Sequence, residues 1–154
     1  MLGYLDDRDK ARSVFRAGFY QTGDLAFRDE RGFLFLLGRK GEAIKNARGE
    51  FLHPRTIERI LEKEEAVLEA GVCGIGVGTE KEEKVAAVVP RGAVPSVPDF
   101  LFRLKRAILS ELGHHRLPNR LVLVERLPRG TNGKLLRREL KKSLEEDEER
   151  RRNQ

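Results

Sequence analysis

The chain has 154 residues, with 31 Lys and Arg against 25 Asp and Glu, and its formal charge is +6. This length fits one domain, or one domain with part of a neighbour, and excludes a large enzyme with its own complete substrate site. No apolar run approaches the roughly 20 residues that cross a bilayer, and the N-terminus lacks the apolar stretch of a signal peptide. The single cysteine, Cys73, cannot form an internal disulfide. We therefore expect a cytoplasmic protein without a transmembrane segment.

The first predicted element is a β-hairpin within the sequence LAFRDERGFLFLLGR. Its two apolar stretches flank a polar turn, Asp29 to Gly32, in which the glycine can adopt a positive φ. Residues 38–41 (GRKG) interrupt this pattern and indicate a junction. The loose alternation of residues 42–53 then predicts a second, shorter hairpin.

The rest of the chain alternates between predicted helices and strands. Apolar periodicity predicts one helix from Pro54 to about Glu65 and another that Ser96 caps and Gly113 ends. A loop from Pro128 to Gly133 precedes the last helix. Strands are predicted over 67–78, 84–89 and 120–125, and the last helix from Lys134 onward. This order predicts an α/β fold, a small sandwich in which a compact sheet is covered by helices.

Positive charge is concentrated in residues 116–142, which hold nine basic residues against two acidic ones. Such an excess indicates an anionic partner or a solvated helix face. No aromatic residue is interleaved with these charges, so the pattern favours phosphate on a small molecule over nucleic acid. Residues 143–154 carry a net charge of −2 and are expected to form a charged, disordered tail.

Three weaker patterns are better explained by structure than by function. The glycines from Gly71 to Gly78 resemble a dinucleotide fingerprint, but their segment does not lead into a helix, so a closely packed strand is expected. His114 and His115 are adjacent and lack companion ligands at metal-binding spacing, so no metal site is predicted. Cys73 lies in an apolar segment and is expected to be a core residue rather than a nucleophile.

Two other segments carry residues suited to a nucleotide. Asp24 follows Thr22 and Gly23, and Arg39 comes fifteen residues later. A carboxylate can bind the vicinal hydroxyls of a ribose, and a guanidinium can donate to the same sugar or to a phosphate. The loop LPRGTNGK presents Lys134 as a mobile charge that suits phosphate or carboxylate oxygens. Taken alone, the first pair is weak evidence, and the loop is equally well explained as an ordinary turn.

Together and in this order, the segments resemble the C-terminal part of the AMP-forming adenylating enzymes. This superfamily contains acyl-CoA synthetases, luciferases and peptide-synthetase adenylation domains. The resemblance rests on GFYQTGDLAFRDERGFLFLLGR (18–39), IKNARGEFLHPRTIE (44–58) and LPRGTNGKLLRREL (127–140), and it covers nearly the whole chain. The segment around residues 39–58 is most similar to long-chain fatty acyl-CoA synthetases.

The resemblance implies a two-step ligase reaction that uses ATP, Mg²⁺ and CoA. A fatty acid or another carboxylate reacts with ATP to give an acyl-adenylate and pyrophosphate, and a thiol, usually that of CoA, then displaces AMP. Asp24 and Arg39 are implied to bind the ribose, and Lys134 is implied to be the catalytic lysine of adenylation. Lys45 and Gly49 are implied to reach the thioester site after a rotation.

The resemblance also implies a domain organisation. Residues 1–38 are expected to be the end of a large N-terminal adenylating lobe, and 39–41 the hinge, with Gly41 where the family usually has Asp or Lys. Residues 42–142 are expected to form the mobile lid. The chain is therefore expected to need an N-terminal lobe, in the same or a separate chain, for activity. The alternative is a non-catalytic module that docks on a protein or an anionic partner; no nucleic acid is expected.

Overall fold

The computed structural model of the protein describes residues 7–45, 51–76 and 83–152. The chain divides into two compact units, Met1–Gly41 and Glu42–Gln154. Across the described ranges, no helix is both long enough and apolar enough to cross a membrane.

The first unit consists of a short helix and two hairpins. Helix α1 (Arg8–Val14) leads into strands β1 (Phe15–Arg16) and β2 (Phe19–Tyr20), none of which the sequence predicted. The predicted hairpin is confirmed as the antiparallel strands β3 (Asp24–Arg28) and β4 (Leu34–Arg39). Each hairpin is a two-stranded sheet.

Asp29 closes the turn between β3 and β4. Its Oδ1 accepts hydrogen bonds from the backbone N–H groups of Arg31, at 3.0 Å, and Phe33, at 2.8 Å. Gly32 adopts the left-handed conformation, with φ of +87°. An aspartate that bonds the backbone ahead of it and a glycine with positive φ together explain why the sequence DERG forms this turn.

The second unit is an α/β sandwich, which confirms the predicted fold class. In chain order it contains β5 (Ile44–Lys45), β6 (Phe51–Leu52), α2 (Pro54–Glu62), β7 (Val67–Ile75), β8 (Glu83–Pro90), α3 (Val97–Leu112), β9 (Arg120–Leu123) and α4 (Arg137–Arg152). Short 3₁₀ helices occur at Lys40–Glu42 and His114–Arg116. Strand β8 lies at the centre of the main sheet, antiparallel to β7 and parallel to β9. The predicted second hairpin is formed by β5 and β6.

The main sheet has a hydrophobic core on each face because its strands alternate with a period of two. One face packs against α2 and α3, and the other packs against α4 and the loop before it. The first core includes Val72, Ala86, Val88, Ile57, Leu61, Leu104 and Ile108. The second includes Cys73, Val85, Ala87, Val89, Leu127, Leu140 and Leu144.

Two local predictions in this unit are confirmed. Ser96 caps α3, where its hydroxyl accepts a hydrogen bond from the Asp99 N–H at 3.4 Å, and Gly113, with φ of +76°, follows the last helical residue. The glycine-rich segment forms a closely packed strand as far as Ile75, where a Cβ at Gly71 would lie 2.9 Å from the Leu140 side chain; residues 77–78 lie outside the described residues.

The C-terminal segment differs from its prediction. The last helix begins at Arg137 rather than Lys134, and it continues to Arg152. The prediction of a disordered tail is therefore wrong over 143–152; residues 153–154 lie outside the described range. Leu144 is buried one turn after Leu140, and Glu148 contacts Arg120 at 3.4 Å, so the helix is attached to the sheet despite its high charge.

Candidate functional site

Asp24 and Arg39 form the terminal cross-strand pair of the β3–β4 hairpin. Arg39 Nη1 lies 3.0 Å from Asp24 Oδ1, and the same nitrogen donates to the Thr22 carbonyl at 2.8 Å. The structure thus brings together the two residues that the sequence analysis associated with a ribose. The Asp24 side chain is 31% exposed and that of Arg39 is 60% exposed, so a ligand could reach both.

The turn before β3 fixes the backbone that carries the Asp24 carboxylate. The Asp24 N–H donates to Thr22 Oγ1 at 3.1 Å, and the Lys40 N–H donates to the Gly23 carbonyl at 2.8 Å. Gly23 has a φ of +74°, a conformation that favours glycine over other residues. Each residue of the Thr22-Gly23-Asp24 motif therefore has a physical role in presenting this carboxylate.

Lys134 lies at the end of a tight loop. Arg129 and Leu135, at the two ends of this loop, form an isolated antiparallel β-bridge. The Gly130 N–H donates to the Lys134 carbonyl at 2.9 Å, and the Lys134 N–H donates to Asn132 Oδ1 at 3.2 Å. Gly133 adopts a φ of +74°. The backbone of Lys134 is thus held by several bonds while its side chain is exposed.

Arg129 attaches this loop to the main sheet. Its Nε donates to Glu69 Oε2 on β7 at 2.9 Å, and its Nη1 donates to the Gly133 carbonyl at 2.6 Å. Immediately after the loop, the Leu136 N–H donates to the Pro128 carbonyl at 2.9 Å. The base of the Lys134 loop is therefore fixed on a buried scaffold, a common arrangement for a residue that acts on a ligand.

Internal ion pairs account for much of the positive charge in residues 116–142. Five of the nine basic residues pair with carboxylates, namely Arg120, Arg129, Arg137, Lys141 and Lys142. In the described part of the chain, no ion pair involves Lys134, Arg116, Arg126 or Arg138. The excess charge thus serves the fold in part, and Lys134, on the anchored loop, is one of four basic residues of this segment that have no ion pair among the described residues.

An ion pair between Glu58 on α2 and Arg137 on α4 is not among the features predicted from the sequence. The Glu58 side chain is 1% exposed, accepts from the Val72 N–H at 2.8 Å and lies 3.0 Å from Arg137 Nη2. Burial acts to lower the pKa of Arg137, but its hydrogen bonds to Glu58 and Glu42 more than offset this, and the pKa is raised. A signal was present, because Glu58 lies between Ile57 and Leu61 on the apolar face of its helix.

The remaining predicted site residues are Gly41, Lys45 and Gly49. Gly41 lies in the 3₁₀ helix at the boundary of the two units, and a Cβ added there would meet nothing within 4 Å. The backbone of Lys45 forms part of β5, but Gly49 lies outside the described residues.

Cys73 is buried in the second core, as expected. Burial raises the pKa of its thiol from the ordinary 9.0 to about 11, against a smaller effect of Arg137 in the opposite direction. The thiol is therefore neutral near pH 7 and unsuited to nucleophilic attack. Within the ranges that the structure covers, no three His, Cys, Asp or Glu side chains are grouped to hold a metal ion.

Comparison with known proteins assigns the chain to a family. Residues 56–134 match the AMP-binding enzyme C-terminal domain. The chain belongs to this family. The 2-succinylbenzoate–CoA ligase of Bacillus mycoides (strain KBAB4) is 36% identical over 144 residues, which cover 94% of this chain and 29% of the ligase. The chain thus spans about three tenths of the length of such curated relatives.

Solved structures of family members share the fold. O-succinylbenzoate coenzyme A synthetase from Bacillus subtilis, in complex with AMP, matches with a TM-score of 0.77 and 32% identity, over 90% of this chain and 27% of that one. The amide bond synthetase McbA from Marinactinospora thermotolerans matches with a TM-score of 0.78 and 26% identity, over 92% and 28%. None of these relatives supports a specific link to long-chain fatty acyl-CoA synthetases.

Proposed function

We propose that the chain is the C-terminal portion of an AMP-forming carboxylate–CoA ligase. In this proposal it supplies the Asp24–Arg39 pair for the ribose and Lys134 for the adenylation step. The observation that carries it is the Lys134 loop, whose backbone is anchored to the sheet by Arg129 while its ammonium has no ion-pair partner among the described residues. Family membership and the ligases among the relatives support it.

In the first step a carboxylate oxygen attacks the α-phosphorus of ATP, and the bond from that phosphorus to the pyrophosphate oxygen breaks. Two anionic groups must approach each other, so a cation placed between them stabilises the transition state. An exposed lysine on a fixed loop suits this role because its charge is mobile while its attachment is not. Asp24 would accept hydrogen bonds from the ribose hydroxyls, and Arg39 would hold that carboxylate in place.

In the second step the sulfur of CoA attacks the acyl carbon and AMP leaves. We propose that residues 42–142 act as a mobile lid, which rotates at the hinge 39–41 between the steps. Gly41 suits a hinge because glycine tolerates large changes in φ and ψ. The rotation would remove Lys134 and bring the segment of Lys45 and Gly49 to the thioester site.

The apolar surface of the β3–β4 hairpin supports an N-terminal lobe as the partner. Phe33 is 64% exposed and Leu34 72% exposed, and the cross-strand pair Phe27 and Phe35 stacks with ring centroids 4.9 Å apart. Contiguous exposed apolar patches mark interaction surfaces. We therefore propose that residues 1–38 complete a lobe in the same or a separate chain and are covered by it.

The identity of the carboxylic acid substrate is a separate part of the proposal. The segment around residues 39–58 resembles long-chain fatty acyl-CoA synthetases, whereas the curated relatives at 36% identity act, by their names, on 2-succinylbenzoate. The relatives favour an aryl acid over a fatty acid. Assaying the chain with its own N-terminal lobe against 2-succinylbenzoate and a series of fatty acids would decide between them.

The central test joins the chain to the part of the Bacillus mycoides ligase that precedes its matching segment. We expect ATP–pyrophosphate exchange with 2-succinylbenzoate. Lys134→Ala should lower the exchange rate about 10²- to 10³-fold, because a group that stabilises charge in the transition state is lost. Thioester formation from preformed acyl-adenylate should continue.

Arg138→Ala is the matched control, since Arg138 is also exposed and has no ion pair in the described structure. Undiminished exchange in Lys134→Ala would contradict the role of this lysine. No exchange in the joined protein, beside an active intact Bacillus ligase, would instead favour a non-catalytic docking module.

A further inference from the structure

The guanidinium of Arg137 joins three separate parts of the second unit. Both of its Nη atoms contact the Glu58 carboxylate on α2, and Nη1 also donates to the Val72 carbonyl on β7 at 3.0 Å. Its Nε donates to Glu42 Oε2 at 2.9 Å. The two Nη atoms therefore hold α2 and β7, and the Nε atom holds the segment at Glu42.

We propose that Arg137 is a positioning residue for the Lys134 loop and that Glu42 links this loop to the segment after Gly41. The proposal rests on the function proposed above for Lys134. Arg137 lies three residues after Lys134, in the first turn of α4. Glu42 directly follows Gly41. The loop with the catalytic lysine and the start of the lid are therefore held as one rigid body.

The contacts of Arg137 differ in what they can do. Glu58 is 1% exposed and also accepts from the Val72 N–H, so its pairing with Arg137 is a structural clamp whose loss leaves a buried charge unpaired. Glu42 is 41% exposed, and a pair with so exposed a carboxylate adds little to the stability of the fold. Its contact with Nε instead fixes where the chain lies immediately after Gly41.

The position of Glu42 gives this contact a role in the hinge. Gly41 has no side chain with which to make an ionic contact, and its surroundings are open within 4 Å. A rotation of the backbone at Gly41 therefore acts first on Glu42, and the Nε bond passes the displacement to Arg137 and the Lys134 loop. Lysine could not replace Arg137, because one ammonium lacks the fork that reaches Glu58 and Glu42 together.

Hydrogen exchange on the 154-residue chain tests the link without any assay of activity. The reporters are the N–H groups of Gly130, Gly133 and Leu136, which donate hydrogen bonds within the loop or at its base. We expect Glu42→Ala to speed their exchange about 3- to 5-fold, since the loop loses one of its restraints. Glu111→Ala is the matched control, because Glu111 is 45% exposed and pairs with Lys63 at 2.9 Å. Equal loop exchange in the two variants would overturn the proposal.

A double variant distinguishes an effect of Glu42 that passes through Arg137 from a general increase in the flexibility of the chain. In Arg137→Lys the Nε donor to Glu42 is absent, so adding Glu42→Ala should change loop exchange by less than about 1.5-fold. A further 3- to 5-fold increase in that background would show that Glu42 acts by another route and would also overturn the proposal.

The joined enzyme gives a readout that separates positioning from folding. Glu42→Ala should lower kcat for ATP–pyrophosphate exchange about threefold while the KM for ATP is unchanged, because the restrained lysine acts in the chemical step. A raised KM with unchanged kcat would contradict the positioning role. Failure of the proposed function would appear separately, as undiminished ATP–pyrophosphate exchange in Lys134→Ala. That outcome would not change the result of the hydrogen-exchange experiment.

Discussion

In the first unit, Asp24 and Arg39 lie at the open end of a two-stranded hairpin whose large apolar side chains face solvent. In the second unit, Lys134 lies on a loop fixed to a three-stranded sheet with a core on each face. Among the described side chains, every buried hydrophobic residue belongs to the second unit. The residues proposed to act on the nucleotide thus come from one unit that has its own buried core and from one that has no buried hydrophobic residue among its described side chains.

This difference shows which contacts hold the proposed site residues in position. A lone two-stranded hairpin is marginally stable in water, so the presentation of Asp24 depends on what covers β3 and β4. The presentation of Lys134 depends on buried contacts within its own unit. Mutations should therefore have large effects on unfolding in the second unit and small ones in the first.

The largest expected contrast is between two leucines. Leu104→Ala removes a fully buried side chain from between α3 and the sheet and should lower the free energy of unfolding by about 2–5 kcal/mol. Leu36→Ala, at a 71% exposed position of β4, should change it by about 0.5 kcal/mol or less. Urea unfolding followed by circular dichroism measures both. Equal losses would mean that the hairpin has an unrecognised core.

The next effect depends on pH and concerns Cys73. Below about pH 9 the thiol is protonated in both the folded and the unfolded chain, so its contribution to stability is fully present. Between pH 9 and about pH 11 the unfolded chain releases the proton and the folded chain does not, which favours unfolding. The destabilisation caused by Cys73→Ala should therefore shrink by about 2–3 kcal/mol from pH 8 to pH 11. A constant difference over this range would refute the burial of the thiol.

Gly71→Ala tests the close contact between β7 and α4. The new Cβ would lie within 3.2 Å of Leu140, Leu135 and Leu127, and we expect a loss of about 1–3 kcal/mol from overpacking. Gly41→Ala, whose Cβ would meet no atom within 4 Å, should instead be neutral or stabilising by up to about 1 kcal/mol. Thermal unfolding distinguishes the two, and a harmless Gly71→Ala would show that α4 can move away from the sheet.

The smallest expected change in stability is that of Asp24→Asn. The pair with Arg39 is exposed, so the free energy of unfolding should fall by less than about 1 kcal/mol. In the joined enzyme, the affinity for AMP should fall about tenfold, because the amide cannot accept two ribose hydroxyls as the carboxylate does. Glu30→Gln, an exposed change in the same hairpin, is the control. Calorimetric titration that gives equal affinities would remove Asp24 from the site.

The sequence was sufficient to predict the sandwich but not the N-terminal helix or the full length of α4. The apolar runs of β7 and β8 and the Ser96 cap of α3 are local signals, and these signals are sufficient to predict the elements. Helix α1 and the two-residue strands after it are too short to produce a periodic pattern. The sequence does not predict the continuation of α4, because so highly charged a segment is typical of disorder, although Leu144 continues the apolar stripe.

The site residues were predictable to different degrees. The proximity of Asp24 and Arg39 follows from the hairpin, since a turn at Asp29 to Gly32 brings the strand ends together. The Glu58–Arg137 pair joins residues 79 positions apart, and only the packing of α2 and α4 against the same strand, β7, creates it. Long-range contacts of this kind depend on the assembled core, and no local spacing encodes them.

The exposed hairpin also bears on how the protein behaves in solution. In a two-stranded sheet each strand has one edge whose backbone N–H and C=O groups are not paired within the sheet, and here those edges lie beside a cluster of large apolar side chains. Such an edge is a template for pairing with another chain. We therefore expect self-association, rather than unfolding, to limit the concentration at which the chain alone stays monomeric, and an added N-terminal lobe to raise that limit.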